Sequence, residues 1–221
     1  DVALHMGTLL AVLTYFWRDW VGLARRAVFA PLSGEGKLFW LLMAATVPGA
    51  MAGLLLEEQA QTVFRFPFLV AVMLMVMGAA LYLADAWASP NRTLDRVGWA
   101  DGLVIGLAQA AAIIPGVSRS GITMAAARLC RLSREAAARF SFLLSTPIIF
   151  GAGVLELRHL SATDLDGAFW AGMVSAAVVG FLAIRFLLRY LVRHTFEVFV
   201  WYRFVLAFAV LVVLISRHSG G

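Results

Sequence analysis

The sequence predicts an all-α protein that crosses a membrane several times. Of its 221 residues, 62% are hydrophobic and only 14% are charged, whereas about a quarter of the residues are charged in a soluble domain. The apolar residues form continuous runs, which is typical of transmembrane helices rather than of the alternating strands of a β-barrel. The arginines fall between these runs, so the net charge of +5 indicates cytoplasmic loops rather than a nucleic-acid surface.

Six apolar runs of about membrane-spanning length account for most of the chain. Short polar stretches separate them, and most of these stretches carry arginine or acidic residues. Pro48-Gly49 and Pro147 lie inside runs, where we expect them to kink the helices. The runs are residues 2–17, 38–56, 66–84, 140–155, 167–184 and 198–216.

A further apolar segment, between the third and fourth runs, is interrupted in its middle. It begins as a helix, is broken by Pro115-Gly116 and then resumes. A single crossing would put an arginine cluster at residues 128–139 outside the cell and an acidic loop at Asp164 and Asp166 inside, against the positive-inside rule. Entry and return on the cytoplasmic side removes both conflicts. We therefore predict a re-entrant helical hairpin over residues 99–130, with its tip at the sequence PGVSRSG.

Three runs precede this hairpin and three follow it, so the second group is inverted relative to the first. Such an arrangement predicts an inverted-topology repeat within one membrane domain, residues 1–221. The first repeat is expected over residues 1–84 and the second over residues 99–216, with a boundary near Ser89-Pro90-Asn91. A Phe-Trp-x-x-Met sequence opens the middle run of each group. By symmetry, the hairpin of the first repeat would precede Asp1, where we expect at least roughly thirty residues of a longer protein.

The residues around the break have the chemistry of an anion site. An arginine at membrane depth is costly and usually functional, and the guanidinium of Arg119 matches phosphate oxygens bidentately. Ser118, Ser120 and Thr123 add hydroxyls, and the N–H groups near Gly121 open a new helix. Each has a plainer alternative: an arginine that reaches the interface, a serine N-cap, or a threonine bonded to the preceding turn. The combination favours a phosphate-like ligand inside the bilayer.

Other polar residues of the apolar runs keep more than one interpretation. Gln109 orients a phosphate or a water molecule, or it joins two helices by hydrogen bonds. His5 is a proton relay or a buried structural histidine. Arg203 pairs with Glu197, anchors its helix at the interface or contacts a substrate. The sequence has no GxxxxGK[ST] or HExxH motif and no pair of cysteines.

Four stretches of the sequence resemble one family. Residues 115–123, PGVSRSGIT, resemble the PGxSRSxxT motif of the bacterial undecaprenyl-diphosphate phosphatases, the bacitracin-resistance family. The sequence FSFLL at residues 140–144, with Pro147 after it, and Tyr202-Arg203-Phe204 are similar to two further motifs of that family. Residues 1–18 resemble the start of its first full span.

The resemblance implies hydrolysis of undecaprenyl diphosphate to undecaprenyl phosphate and phosphate. This reaction recycles the carrier lipid of cell-wall synthesis and confers bacitracin resistance. It implies a multi-pass protein of the bacterial plasma membrane, with a lipid substrate and no nucleic-acid partner. A homodimer is one option for its oligomeric state.

The same resemblance implies roles for residues of the second hairpin. The family also has a Glu-x-x-x-Glu motif and an SSTGH-like stretch in an N-terminal hairpin, and neither occurs in this chain. The divalent metal of the reaction, Mg²⁺ or Ca²⁺, is expected to be held there, so we predict no metal ligand among residues 1–221. The expected catalytic residues are Arg119, Ser118, Ser120 and Thr123, and the expected substrate-binding residues are Gly116, Gly121 and Gln109.

Two other functions stay open at this point. Inverted repeats, broken helices and an anion site near the membrane midplane are also features of transporters, so a lipid-phosphate flippase would use the same residues. A fragment that holds about half of a catalytic site is the second alternative. On that basis we expect the chain alone to lack phosphatase activity.

Overall fold

The computed structural model describes residues 2–89, 92–157 and 165–219, without the side chains of residues 57, 61, 63, 156, 157 and 217–219. Apart from one isolated bridge between Arg92 and Leu132, the secondary structure of these ranges is helical, and the predicted all-α class is confirmed. Pro90 and Asn91 of the expected boundary, and Asp164, lie outside them. The helices are α1 (Val2–Phe29), α2 (Gly34–Leu55), α3 (Glu57–Gln61), α4 (Pro67–Trp87), α5 (Trp99–Ala110), α6 (Arg119–Leu129), α7 (Arg134–Leu157), α8 (Gly167–Leu191) and α9 (Glu197–Ser219).

Five helices of the described ranges are long and apolar enough to cross a membrane: α2, α4, α7, α8 and α9. They correspond to five of the six predicted runs, and the remaining run forms the first half of α1. Both α2 and α7 continue through their internal prolines, Pro48 and Pro147. The protein is therefore a multi-pass membrane protein.

Helix α1 extends much further than the apolar pattern indicates. The run ends at Trp17, yet the helix continues to Phe29 with one non-helical residue, Phe16 (φ −101°, ψ 17°). Leu23 and Ala27 hold the extension because they are buried against the core. The length of α1 therefore depends on packing contacts beyond the apolar run, and hydrophobicity alone does not predict it.

The interrupted segment forms a hairpin whose two ends meet. Helix α5 passes into a 3₁₀ turn, Ala111–Ile113, and α6 returns toward the start of α5. The Arg92 N–H donates to the Arg131 carbonyl (3.3 Å), and the Ser133 N–H donates to the Arg92 carbonyl (2.9 Å). Since these residues flank the hairpin, the chain enters and leaves at one end of the bundle.

Glycines bring α5 unusually close to α2. A Cβ added at Gly102 would lie 2.4 Å from a methyl carbon of Leu41, and one at Gly106 would lie 2.6 Å from the carbonyl oxygen of Ala45. Small residues spaced by four allow such approaches between helices in a membrane. The first half of the hairpin is thus fixed directly on a spanning helix.

The long helices of the two expected repeats pack on one another in several places. Helix α1 packs on α8, α2 packs on α7, and α4 packs on α9. Near the starts of α2 and α8, the Phe39–Trp40 and Phe169–Trp170 rings meet edge to face, at interplanar angles of 88° and 83°. The repeat boundaries at residues 1–84 and 99–216 stay a prediction.

Candidate functional site

The hairpin tip has an unusual backbone that aims the start of α6 into the bundle. Gly116 has φ +94°, and a Cβ there would lie 2.6 Å from the carbonyl oxygen of Val70 on α4. Ser118 has φ +55° although it is not glycine, and such strained residues concentrate at functional sites. Gly116 therefore has a packing role against α4 in addition to its predicted role in substrate binding.

Ser118 is the N-cap of α6. Its Oγ accepts a hydrogen bond from the Gly121 N–H at 3.3 Å, and it lies 3.5 Å from the Ser120 Oγ. Helix capping was the alternative role predicted for the serines, and Ser118 has that role in the structure. Ser120 is exposed, so its hydroxyl is available to a ligand.

Arg119 points into a cavity with its charge unpaired. The cavity has a volume of about 420 Å³, and no acidic residue of the described ranges forms an ion pair with Arg119. Its polar lining consists of the guanidinium and hydroxyls, and its other walls are apolar. The polar lining residues are Thr8, Arg119, Ser120, Ser141 and Ser145, and the apolar ones include Val12, Phe142, Ile149 and Ile184.

Thr123 links the start of α6 to α7. Its hydroxyl lies 2.7 Å from the Ser141 Oγ and donates to the backbone carbonyls of Arg119 (2.9 Å) and Ser120 (3.2 Å). Because Thr123 is buried, it holds Ser141 against the helix start rather than lining the cavity itself. Its predicted catalytic role stays a prediction.

Ser141 and Ser145 were not predicted as site residues. They lie four residues apart on α7, so both hydroxyls face the same side of the helix. The two serines of the sequence FSFLLS, residues 140–145, have that spacing. This spacing could have indicated that both serines face the site.

Gln109 lies away from the cavity. Both atoms of its amide group are buried without a hydrogen-bond partner in the described part of the chain. The side chain packs against α2, since a Cβ at Gly49 would lie 2.9 Å from Gln109 Nε2. The predicted substrate contact therefore has no support from position, although the buried amide lacks the partner that such a group normally has.

Two ion-pair clusters fix the base of the hairpin, and neither was predicted. In the buried cluster, Asp85 Oδ1 of α4 accepts from Arg128 Nε (2.8 Å) and Arg134 Nε (2.9 Å). In the outer cluster, Arg92 donates to both carboxylate oxygens of Asp101, at 3.0 and 2.6 Å. Burial opposes ionisation of Asp101, but the bonds from Arg92 and from the Gly98 N–H outweigh it and lower the pKa of Asp101. These contacts hold α4, α5, α6 and α7 together below the tip.

A larger cavity at the other end of the hairpin is less suited to an anion. It has a volume of about 520 Å³ and is lined by residues of α1, α2 and α7 and of the loop before α5. One of its two arginines, Arg139, is paired with Asp19 at 2.6 Å, and three further carboxylates, those of Glu35, Asp95 and Glu135, line the same space. The unpaired guanidinium of Arg119 makes the hairpin tip the stronger candidate.

The described residues do not fit a divalent-metal site. Nowhere in residues 2–89, 92–157 and 165–219 do three His, Cys, Asp or Glu side chains lie close enough together to hold a metal ion. At the tip, a guanidinium, hydroxyls and helix N–H groups suit an anion and not a cation.

The comparison with known proteins decides the family. Residues 1–209 match the family described as bacitracin resistance protein BacA. The chain belongs to this family. The predicted resemblance is thereby confirmed over nearly the whole chain, from α1 to the middle of α9.

Relatives of this chain are named undecaprenyl-diphosphatase, among them the proteins of three bacteria. The protein of Pelotomaculum thermopropionicum is 53% identical over 220 residues, which cover 100% of this chain and 83% of the relative. That of Moorella thermoacetica is 52% identical, with coverage of 99% and 84%. That of Desulforudis audaxviator is 51% identical, with coverage of 98% and 83%.

Proposed function

We propose that this protein hydrolyses undecaprenyl diphosphate to undecaprenyl phosphate and inorganic phosphate. The observation that carries the proposal is the unpaired guanidinium of Arg119 at the start of α6, inside a multi-pass membrane protein of the BacA family. The whole-chain likeness to proteins named undecaprenyl-diphosphatase supports the same reaction. This reaction recycles the carrier lipid and confers bacitracin resistance.

In the reaction, water attacks the terminal phosphorus and the bond from that phosphorus to the bridging oxygen breaks. The water oxygen leaves with the inorganic phosphate, one water proton is released, and the bridging oxygen stays on the lipid phosphate. Because the transition state is mostly stabilised by position and charge, the role we assign to Arg119 is to bind the phosphoryl oxygens. Ser118 and Ser120 and the first N–H groups of α6 would donate further hydrogen bonds to them.

The cavity suits a lipid with a charged head. Arg119 and Ser120 line it together with further hydroxyl side chains, and Val12, Phe142, Ile149 and Ile184 supply apolar walls. We assign the diphosphate to Arg119 and Ser120 and the first prenyl units to the apolar walls. Association into a homodimer stays a prediction, which light scattering of the purified protein would test.

Dependence on Mg²⁺ or Ca²⁺ is also part of the proposal. Since the residues described here do not form a metal site, the ligands would lie outside them. Phosphate release with and without EDTA, followed by readdition of each metal, tests this dependence.

Arg119 variants test the proposed function. Arg119→Ala should lower phosphate release from a prenyl diphosphate by about 10²- to 10³-fold or more, the scale of a lost transition-state donor. Arg119→Lys should also be strongly impaired because it loses the planar fork of the guanidinium. Arg189→Ala, on an exposed arginine of α8, is the matched control. Equal and measurable turnover of the wild type and Arg119→Ala would contradict the assignment.

A lipid-phosphate flippase is the second candidate function. It is favoured by the helix pairing expected of an inverted repeat and by the interrupted hairpin. Movement of a labelled prenyl phosphate across liposomes without phosphate release would favour the flippase over the phosphatase.

A further inference from the structure

Arg203 of α9 reaches the same helix start as Arg119 from the opposite side. One glycine makes room for it. On α4, a Cβ built at Gly78 would be in ordinary van der Waals contact with the Arg203 Cβ, at 3.6 Å. At the other end of the side chain, a Cβ at Gly121 would lie 2.5 Å from Arg203 Nη2 and 3.1 Å from Cζ. The guanidinium is therefore directly beside the first turn of α6.

No residue of the described ranges neutralises this second guanidinium. Arg203 Nη1 is buried without a hydrogen-bond partner, and the ion pair with Glu197 that the sequence suggested is not formed. The amino end of a helix carries partial positive charge, so Arg203 and Arg119 both add positive charge where it is already present. Two partly buried cations at such a place are costly unless an anion joins them.

Ser120 lies between the two arginines. It lines the cavity of Arg119 and also a narrow cavity of about 70 Å³ that contains Arg203, Gly121 and Met124. A ligand bound at Ser120 would therefore have one guanidinium on each side. A diphosphate has two phosphoryl groups and so offers each guanidinium a separate set of oxygens.

We propose that Arg203 is the second guanidinium of the diphosphate site and sets its preference for diphosphate over monophosphate. Arg119 and Arg203 bind different phosphoryl groups, on opposite sides of Ser120. This inference rests on the proposed function, because it presumes a diphosphate at the start of α6. A lipid monophosphate has one phosphoryl group fewer and leaves Arg203 without a ligand, which favours release of the product.

Binding of farnesyl diphosphate and farnesyl monophosphate to the purified chain in detergent, measured by calorimetry, tests the proposal. Arg203→Ala should weaken diphosphate binding by about 10- to 100-fold, the worth of charge-assisted hydrogen bonds, and monophosphate binding by less than about threefold. Arg203→Lys should recover part of the loss. Arg119→Ala should weaken both ligands, and the control Arg189→Ala should change neither.

The outcomes separate the two proposals. If Arg119→Ala weakens binding and Arg203→Ala does not, or if Arg203→Ala weakens both ligands equally, the role of Arg203 is wrong and the proposed function stands. If the wild type binds neither ligand, or Arg119→Ala changes nothing, the proposed function fails and the role of Arg203 fails with it.

A second experiment includes a variant that keeps Arg203 and changes only the glycine beside its guanidinium. The methyl group of Gly121→Ala should displace the Arg203 guanidinium and weaken diphosphate binding in the wild-type background. In the Arg203→Ala background the obstructing atoms are absent, so Gly121→Ala should add less than about threefold. An equal effect of Gly121→Ala in both backgrounds would show that this glycine does not serve Arg203 and would overturn the proposal.

Discussion

Asp85 accepts hydrogen bonds from two arginines at the base of the hairpin, so its removal should destabilise the protein strongly. The Arg128 side chain is 1% exposed and that of Asp85 is 8% exposed. Asp85→Ala would leave the Arg128 charge buried without its partner, which costs about 3–5 kcal/mol. For a chain of this size, that loss corresponds to a fall in Tm of about 6–20 °C.

A compensating variant makes this expectation specific. Arg128→Leu in the Asp85→Ala background removes the uncompensated charge, so the double variant should recover most of the lost stability. Arg134 is one-third exposed and can turn toward solvent, so it adds little to the penalty. The matched control is Glu35→Gln, which breaks the exposed Arg26–Glu35 pair and should cost less than about 1 kcal/mol.

Thermal unfolding in detergent, followed by the loss of soluble monomer on size exclusion, measures all four proteins. The expected order of Tm is wild type, then Glu35→Gln, then the double variant, with Asp85→Ala lowest. The reasoning would be refuted if Asp85→Ala and Glu35→Gln had the same Tm. It would also be refuted if Arg128→Leu lowered the Tm of Asp85→Ala further.

Three other outcomes are expected. In a background with Cys130 replaced by serine, Glu135→Cys should react with an impermeant maleimide only from the cytoplasmic side, and Gly167→Cys only from outside. The reverse pattern would contradict the prediction that the hairpin enters and leaves on the cytoplasmic side. Gly116→Ala should lower Tm by several degrees, because both its positive φ and its contact with α4 exclude a methyl group, and an unchanged Tm would count against this role. The pKa of Asp101 is lowered in the folded protein, so its ion pair stabilises the fold at neutral pH and is lost as the pH falls through the folded pKa. The difference in stability between the wild type and Asp101→Asn should therefore persist down to about pH 4 and disappear below it. A difference that disappears nearer pH 6 would contradict this prediction.

Features fixed by neighbouring residues could be predicted from the sequence. The break at Pro115-Gly116 and the new helix at Arg119 follow from a proline, a flexible glycine and hydroxyls that cap a helix, all within a few residues. The apolar runs likewise predicted the spanning helices, because the residues of each run alone indicate that it lies in the membrane. The positive φ of Ser118, in contrast, could not be predicted, since a strained backbone at a serine has no sequence signal.

Features that join distant parts of the chain could not be predicted. Asp85 is 43 residues from Arg128 in sequence, and an acidic residue in a polar stretch gives no sign of its partner. The glycine that admits the Arg203 guanidinium, Gly121, lies on α6 and the arginine lies on α9, so the role of this glycine is visible only after folding. The extension of α1 beyond Trp17 likewise depends on contacts with other helices rather than on its own hydrophobicity.

The close contact between α5 and α2 also limits how the protein can move. At Gly106 and Ala45 the two backbones leave no room for a methyl group, so the helices cannot slide past each other without separating. Helix α5 therefore acts as a stationary reference for the second half of the hairpin. Because α5 leads into the turn at Gly116, its fixed position also sets the depth in the bundle at which the chain turns back and α6 begins.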